Sequence, residues 1–278
     1  MAEDRLCVID GDVIAYRVAF SMQKKSVIAP PSEGRACQKV DRMVWDIVKS
    51  TLSTSKVIYL TGKGNYRNDI ATISPYKGNR KESAKPEMLG ACRERLISNH
   101  FAQVTTGMEA DDMMGIIQTK YNREFGWSQG KSIIASIDKD LRTIPGLHYN
   151  ITRGETDTVD PKAALKFFYT QMLTGDNVDS IYSIHGMGAA KAHKVLKDAT
   201  NPGEMFLAVA KAFHAEVLKE KSKSIFVMRG MSAMEAMKEI GDLVWILRDK
   251  SRLYSETVMH KHMKSIDVNL DFMQEKPK

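Results

Sequence analysis

The chain has 278 residues, 43% apolar and 27% charged, an ordinary globular composition that excludes an intrinsically disordered chain. Cys7, Cys37 and Cys92 are too few and too widely spaced for a disulfide framework or a zinc-ligand pattern, and a reducing, cytoplasmic setting is expected. No apolar run approaches the roughly 18 residues that span a bilayer, so no membrane partner is expected; the start of the chain, with Glu3 and Asp4, shows no signal-peptide pattern.

Leu6–Ile9 is a short apolar run that stops at Asp10-Gly11-Asp12, as a buried strand ending in an acidic turn does. Further strands are predicted at 56–60, 132–137 and, more weakly, 148–152, with helical patterns at about 39–53, 86–100 and 109–123. This alternation predicts an α/β fold with a mostly parallel sheet, whose ligands sit beyond the carboxyl ends of the strands. The character changes near residue 160. Pro161 suits a first helical position, and helical patterns follow at about 161–174, 188–197, 203–220 and 231–248. The expected organisation is an α/β domain over 1–158 and a helical domain over 159–278.

Acidic residues recur in four places: Asp10 with Asp12; Glu109, Asp111 and Asp112; Asp138 with Asp140; and Asp176 with Asp179. Any one group reads equally as a helix cap or a solvated turn. Together they read differently, because Asp10 and Asp138 both follow buried strands and a parallel sheet projects both to one edge. Six or seven carboxylates within about 10 Å repel by several kcal/mol at an effective dielectric near 20. Bound cations or raised pKa values must relieve such a cluster. Oxygen ligands without His or Cys suit Mg²⁺, with Mn²⁺ as a substitute, and a pair of such ions is the usual apparatus for displacement at a phosphodiester.

The net charge is +7, and residues 63–95 hold eight basic against four acidic side chains. Within this stretch Tyr76-Lys77-Gly78-Asn79-Arg80 reads either as a solvated basic turn or as a source of phosphate-binding cations beside a base-stacking Tyr76. Gly186-Met187-Gly188, opening a helix that contains Lys191, lacks the preceding strand of a dinucleotide site. It reads either as a plain connecting turn or as a helix-hairpin-helix type contact to a DNA phosphate.

The series VIDGD, PYKGNR, GMEADDM, SIDKD and TGDNVDSIYSIHGMGAAKA resembles the 5′ nucleases of the flap-endonuclease superfamily. The bacteriophage 5′-3′ exonucleases and the nuclease domains of bacterial DNA polymerase I belong there. The match runs in order over about residues 6–198. It implies a PIN-like α/β domain, with a short arch over about 63–95, followed by a helical DNA-binding domain. It implies that Asp10, Glu109, Asp111 and Asp112 hold a first metal ion, partly through water, and that Asp138, Asp140, Asp176 and Asp179 complete the site and hold a second. Lys77 and Arg80 then approach the scissile phosphate. Gly186, Gly188 and Lys191 form a helix–three-turn–helix contact to duplex DNA, where K⁺ also binds in the family. The implied activity is metal-dependent hydrolysis at 5′ ends, nicks or flaps of DNA, with RNA–DNA hybrids as further substrates, by a monomer. The alternative is a noncatalytic structure-specific DNA-binding protein that keeps the fold. One departure stands out: many relatives carry an aspartate after the second strand, where this chain reads Leu60-Thr61-Gly62. Asp12 is the expected compensation.

Overall fold

In the computed structural model, which describes residues 4–23, 32–79, 84–250 and 252–277, the N-terminal apolar run is β1 (Leu6–Asp10), fully buried from Cys7 to Ile9. There follow α1 (Gly11–Gln23), α2 (Glu33–Ser50), β2 (Ser55–Lys63), the short α3 (Arg67–Ile70), α4 (Leu89–His100), β3 (Gln103–Thr106) and α5 (Ala110–Phe125). The last strands are β4 (Ser132–Ser136), β5 (Gly146–Asn150) and β6 (Glu155–Val159). From there the named elements are helical: α6 (Pro161–Thr174), α7 (Ala189–Leu196), α8 (Pro202–Val217), α9 (Ile225–Met228), α10 (Ala233–Val244) and α11 (Val258–Lys264).

The packing forms two units. One comprises Met1–Asn65, Glu82–Pro161 and Ile246–Lys250; the other comprises Tyr66–Lys81, Lys162–Trp245 and Ser251–Lys278. The passage at 161/162 lies close to the expected boundary at 158/159. The chain also changes unit after Asn65 and after Trp245, and Tyr66–Asn79, from the middle of the expected arch, packs with the helices.

The first unit is built on one sheet of order β3-β2-β1-β4-β5-β6, parallel throughout except for the antiparallel pair β5 and β6. Ile9 of β1 faces Ile58 of β2 and Ala135 of β4 in register. Alternation along β1 then sorts the core between two faces. Cys7 and Ile9 join Ile14, Val18, Val40 and Leu96 from α1, α2 and α4. Val8 joins Ala110, Met114, Ile144 and the returning Ile246. The second unit is centred on aromatic side chains: Phe168 is fully buried, with its ring centroid 5.0 Å from that of Trp245 and 4.8 Å from that of Tyr254.

Several elements differ from the sequence expectation. Helix α1 buries Ile14, Ala15, Val18, Ala19 and Met22 at helical spacing, but its outer face carries Tyr16 and Phe20 as well, which erases the polar contrast that marks an amphipathic helix. Strands β3 and β6 are edge strands of mostly exposed residues, so they lack a buried apolar run. Helix α10 stops at Val244 rather than 248. There the buried Arg67 donates Nε to the Leu243 carbonyl (2.9 Å) and Nη2 to the Trp245 carbonyl (2.7 Å), taking carbonyls that a helix end leaves without partners.

Gly11 lets α1 begin immediately after β1. A Cβ there would lie 2.6 Å from the Tyr59 carbonyl oxygen on the neighbouring strand. We predict that Gly11→Ala lowers stability by about 1–3 kcal/mol through this overlap, read as a lowered midpoint in thermal unfolding. An unchanged midpoint would show that the two strands yield freely.

Candidate metal centre and nucleic-acid interface

Asp10, at the end of β1, is buried. One of its oxygens accepts the Val13 N–H (3.0 Å) at the start of α1, and the other accepts the Ser136 hydroxyl (2.7 Å) at the end of β4. The Ser136 oxygen in turn accepts the Asp138 N–H (3.0 Å), and Asp138 accepts the Asp140 N–H (2.7 Å). The expected edge arrangement is therefore present, and Ser136 joins its members. No sequence signal marks Ser136, since a serine ending an apolar strand is unremarkable.

Burial lifts the Asp10 carboxyl from 3.8 to about 6, against the hydrogen bonds from Val13 and Ser136 and with help from Asp12 and Asp138. Asp111, in the first turn of α5, is pushed well above the usual carboxylate range. Burial is the largest cause, followed by Asp10, Asp138, Glu109 and Asp112. The mutual repulsion inferred from the sequence is thus present in the first unit.

Asp112, expected among the groups that hold the first metal ion partly through water, has both carboxylate oxygens engaged by backbone N–H groups. It is completely buried, with one oxygen accepting the Glu109 N–H (3.1 Å) and the other the Leu247 N–H (3.1 Å). Glu109 and Asp112 form a reciprocal capping box at the start of α5. Asp112 therefore fixes the helix that presents Asp111.

Asp12, expected to compensate for the missing aspartate, is engaged by a cation and a backbone N–H. Its carboxylate is paired with Arg93 and accepts the Thr61 N–H (2.8 Å). Arg93 also donates to the Thr61 carbonyl (2.8 Å), and the Thr61 hydroxyl accepts the Ala110 N–H (3.0 Å). Thr61 thus caps α5, and Arg93 neutralises Asp12. Arg93, unremarkable in a basic stretch of sequence, is the residue that the sequence reading missed.

Among the described residues, no three carboxylate, imidazole or thiol groups converge into a ready-made cage for one ion. The donor set nevertheless fits a hard divalent cation. Mg²⁺ keeps several waters and needs only one or two protein carboxylates, and Asp10, Asp111 and Asp138 are carboxylates whose repulsion such an ion relieves.

In the second unit the Pro75–Asn79 segment is clasped to the Gly175–Ile181 loop. Lys77 N–H donates to the Asp179 carbonyl (2.7 Å), the Lys77 ammonium lies 3.6 Å from the Asp179 carboxylate, and the Tyr76 hydroxyl donates to that same carboxylate (2.9 Å). Asn79 N–H donates to the Ser180 hydroxyl (3.0 Å). Asp176 folds its own loop, accepting the Val178 N–H at 2.8 Å. Lys77 and Ser180 both adopt left-handed backbone, with φ of 55° and 59°. Such strain in non-glycine residues gathers at functional segments. Tyr76 is buried, with the Lys77 ammonium 4.9 Å from its ring centroid, so the expected base-stacking role does not suit it. Arg80 lies outside the described residues.

Gly186 has φ +73° and Gly188 caps α7. The Lys191 ammonium donates to the Gly186 carbonyl (2.8 Å), so a K⁺ ion at the turn would meet a carbonyl already engaged by a cation. Gly186, Gly188 and Lys191 are all exposed.

Because the Asp10 and Asp111 carboxyls are raised in the folded protein, each adds stability that is complete below about pH 4 and is lost as the pH rises, for Asp10 through about 6. At neutral pH the burial of these charges, with their mutual repulsion, opposes folding. Asp111→Asn is therefore expected to raise the unfolding midpoint of the metal-free protein at pH 7.5, measured by calorimetry in EDTA. Added Mg²⁺ should raise the midpoint of the wild type more than that of the variant.

A family model described as "5′-3′ exonuclease, N-terminal resolvase-like domain" matches residues 5–168. The chain is 27% identical over 271 residues to an exodeoxyribonuclease of Enterobacteria phage T3, covering 87% of each. It is 26% identical over 271 residues to an exonuclease of Escherichia phage T7, covering 87% of this chain and 88% of the relative. Its fold resembles that of the bacteriophage T5 flap endonuclease, solved as a pseudo-enzyme–product complex with DNA and metal ions. That likeness has a TM-score of 0.61 and 18% identity, over 98% of this chain and 100% of the other. With the matched segment spanning the whole sheet and its edge of carboxylates, the chain belongs to the 5′-3′ exonuclease family.

Proposed function

We propose that the protein is a divalent-metal-dependent 5′ nuclease that hydrolyses phosphodiester bonds at 5′ ends, nicks or flaps of DNA, RNA primers on DNA included. The observation that carries this reading is the set of carboxylates at the carboxyl end of a parallel sheet: desolvated Asp10 and Asp111, with the exposed Asp138 linked to Asp10 through Ser136 and adding to the charge on both. Its family membership and the names of its phage relatives support it.

In this reading Asp10, Asp111 and Asp138, with Glu109 and Asp140, hold Mg²⁺, and Mn²⁺ substitutes. Asp176 and Asp179 are added on the family motif alone. Divalent ions held by these carboxylates would supply an activated water and positive charge for the leaving oxygen. Ser136 and Val13 keep the Asp10 oxygens in a fixed orientation, and Asp112 keeps the first turn of α5 in place. On the family motif alone, Lys77 and Arg80 offer positive charge to the phosphate undergoing displacement. Gly186 and Gly188 leave backbone N–H groups open to a duplex phosphate, and Lys191 retains two ammonium N–H groups beyond the one given to Gly186.

A 5′-flap duplex labelled separately at each end, incubated with Mg²⁺, Mn²⁺ or EDTA, tests the reading. Short 5′-labelled products that require metal are expected, and product length separates end-trimming from flap cutting. Asp111→Asn or Asp138→Asn should reduce cleavage by about 10²–10³-fold or more while duplex binding persists. Parallel loss of binding would make these residues structural. Lys77→Ala should slow the single-turnover rate far more than it weakens binding, and a wild-type rate would remove Lys77 from the chemistry. Tight binding without cleavage in either metal would favour the noncatalytic alternative.

A further inference from the structure

The run Lys219-Glu220-Lys221-Ser222-Lys223 looks in sequence like the solvated end of a helix. In the structure α8 stops at Val217, and the run turns back toward the Gly186–Gly188 turn. A buried relay sets this course. Glu216, 7% exposed near the end of α8, accepts the hydroxyls of Ser222 and Ser224, the latter at 2.8 Å. The Ser224 oxygen then accepts the His185 N–H at 2.8 Å. Lys219 pairs with the second Glu216 oxygen at 3.5 Å. The lysine run is therefore fastened to the glycine turn through one carboxylate and one serine.

Between the run and the turn lies a cleft of about 570 Å³, lined among others by Asn177, Tyr182, His185, Gly186, Gly188 and Lys223, with no carboxylate in its lining. Lys223 is exposed and has no carboxylate partner among the described residues. Glu216, the nearby acid, is already occupied by Ser222, Ser224 and Lys219. The cleft thus joins glycine backbone on one wall to an unpaired ammonium on the other. That combination suits a phosphodiester.

We propose that the segment Lys219–Ser224, with Lys223 foremost, is a second phosphate-binding wall. It engages the backbone of the duplex that also rests on the Gly186–Gly188 turn. This deepens the DNA-binding part of the proposed function and rests on it.

The test is binding of a labelled duplex of about 20 base pairs to the full-length protein in EDTA, by fluorescence anisotropy over a range of salt concentrations. Lys223→Ala should weaken binding by about 3–10-fold near 0.1 M salt. It should also reduce the slope of log K against log salt by about 0.9, the loss of one phosphate contact. Lys223→Arg should retain affinity and slope, and Lys211→Ala, an exposed lysine on α8, should match the wild type. Circular dichroism melting checks that each variant is folded. If Lys223→Ala keeps the wild-type affinity and slope while the wild type shows a steep salt dependence, the second wall is refuted and duplex binding at the turn stands. Should the wild type show no salt-dependent duplex binding at all, the DNA-binding reading itself fails, and the wall with it.

Discussion

Repulsion among Asp10, Asp111 and Asp138 is the constraint around which the carboxyl edge of the sheet is organised. A parallel sheet projects the ends of β1 and β4 to one side, and α5 begins there. Ordinary folding would place neutral or paired groups at such an edge, because burying unpaired carboxylates is costly. Here the neighbours divide into two kinds. Asp12 and Asp112 are satisfied, one by Arg93 and the other by backbone N–H groups. Asp10 and Asp111 stay poorly solvated and electrostatically opposed. The satisfied acids hold the frame, and the unsatisfied ones store an affinity for positive charge.

The helical unit uses its polar residues differently. Its two loops rich in family motif residues, around Lys77 and Asp179, fasten to each other through an ion pair, a tyrosine hydroxyl and backbone hydrogen bonds. Lys77 and Ser180 are held in left-handed backbone within this clasp. Strain of that kind persists only where surrounding contacts over-determine the geometry. The orientation of the Lys77 ammonium is therefore a property of both loops and not of the PYKGNR segment alone.

Much of this was legible in the sequence because it rests on contrast. The buried runs of β1 and β4 and the acidic turns after them stand out from their surroundings, and Pro161 starts α6 where its missing N–H is harmless. What stayed hidden lacked contrast or local cause. Helix α1 places Tyr16 and Phe20 among the polar groups of its outer face, and β6 is a polar edge strand. The end of α10 depends on Arg67, far away in the chain. The site shows the same division: acidic spacing marked Asp10, Asp111 and Asp138, but only the fold shows that Arg93 consumes Asp12 and that Leu247 consumes one face of Asp112. Partnership across long sequence separation has no local signature.

The segment Ile246–Lys250 has a consequence for biosynthesis. Ile246 fills the face of the sheet core that holds Val8 and Met114, and Leu247 supplies an N–H to the buried Asp112. Both arrive in the chain after the whole stretch Lys162–Trp245 has been made. While the ribosome is still translating that stretch, the sheet already made lacks a piece of its own interior, and the Asp112 carboxylate lacks a donor. The sheet unit therefore acquires the last part of its interior only after most of the helical unit has been synthesised, so the order of synthesis and the order of packing differ.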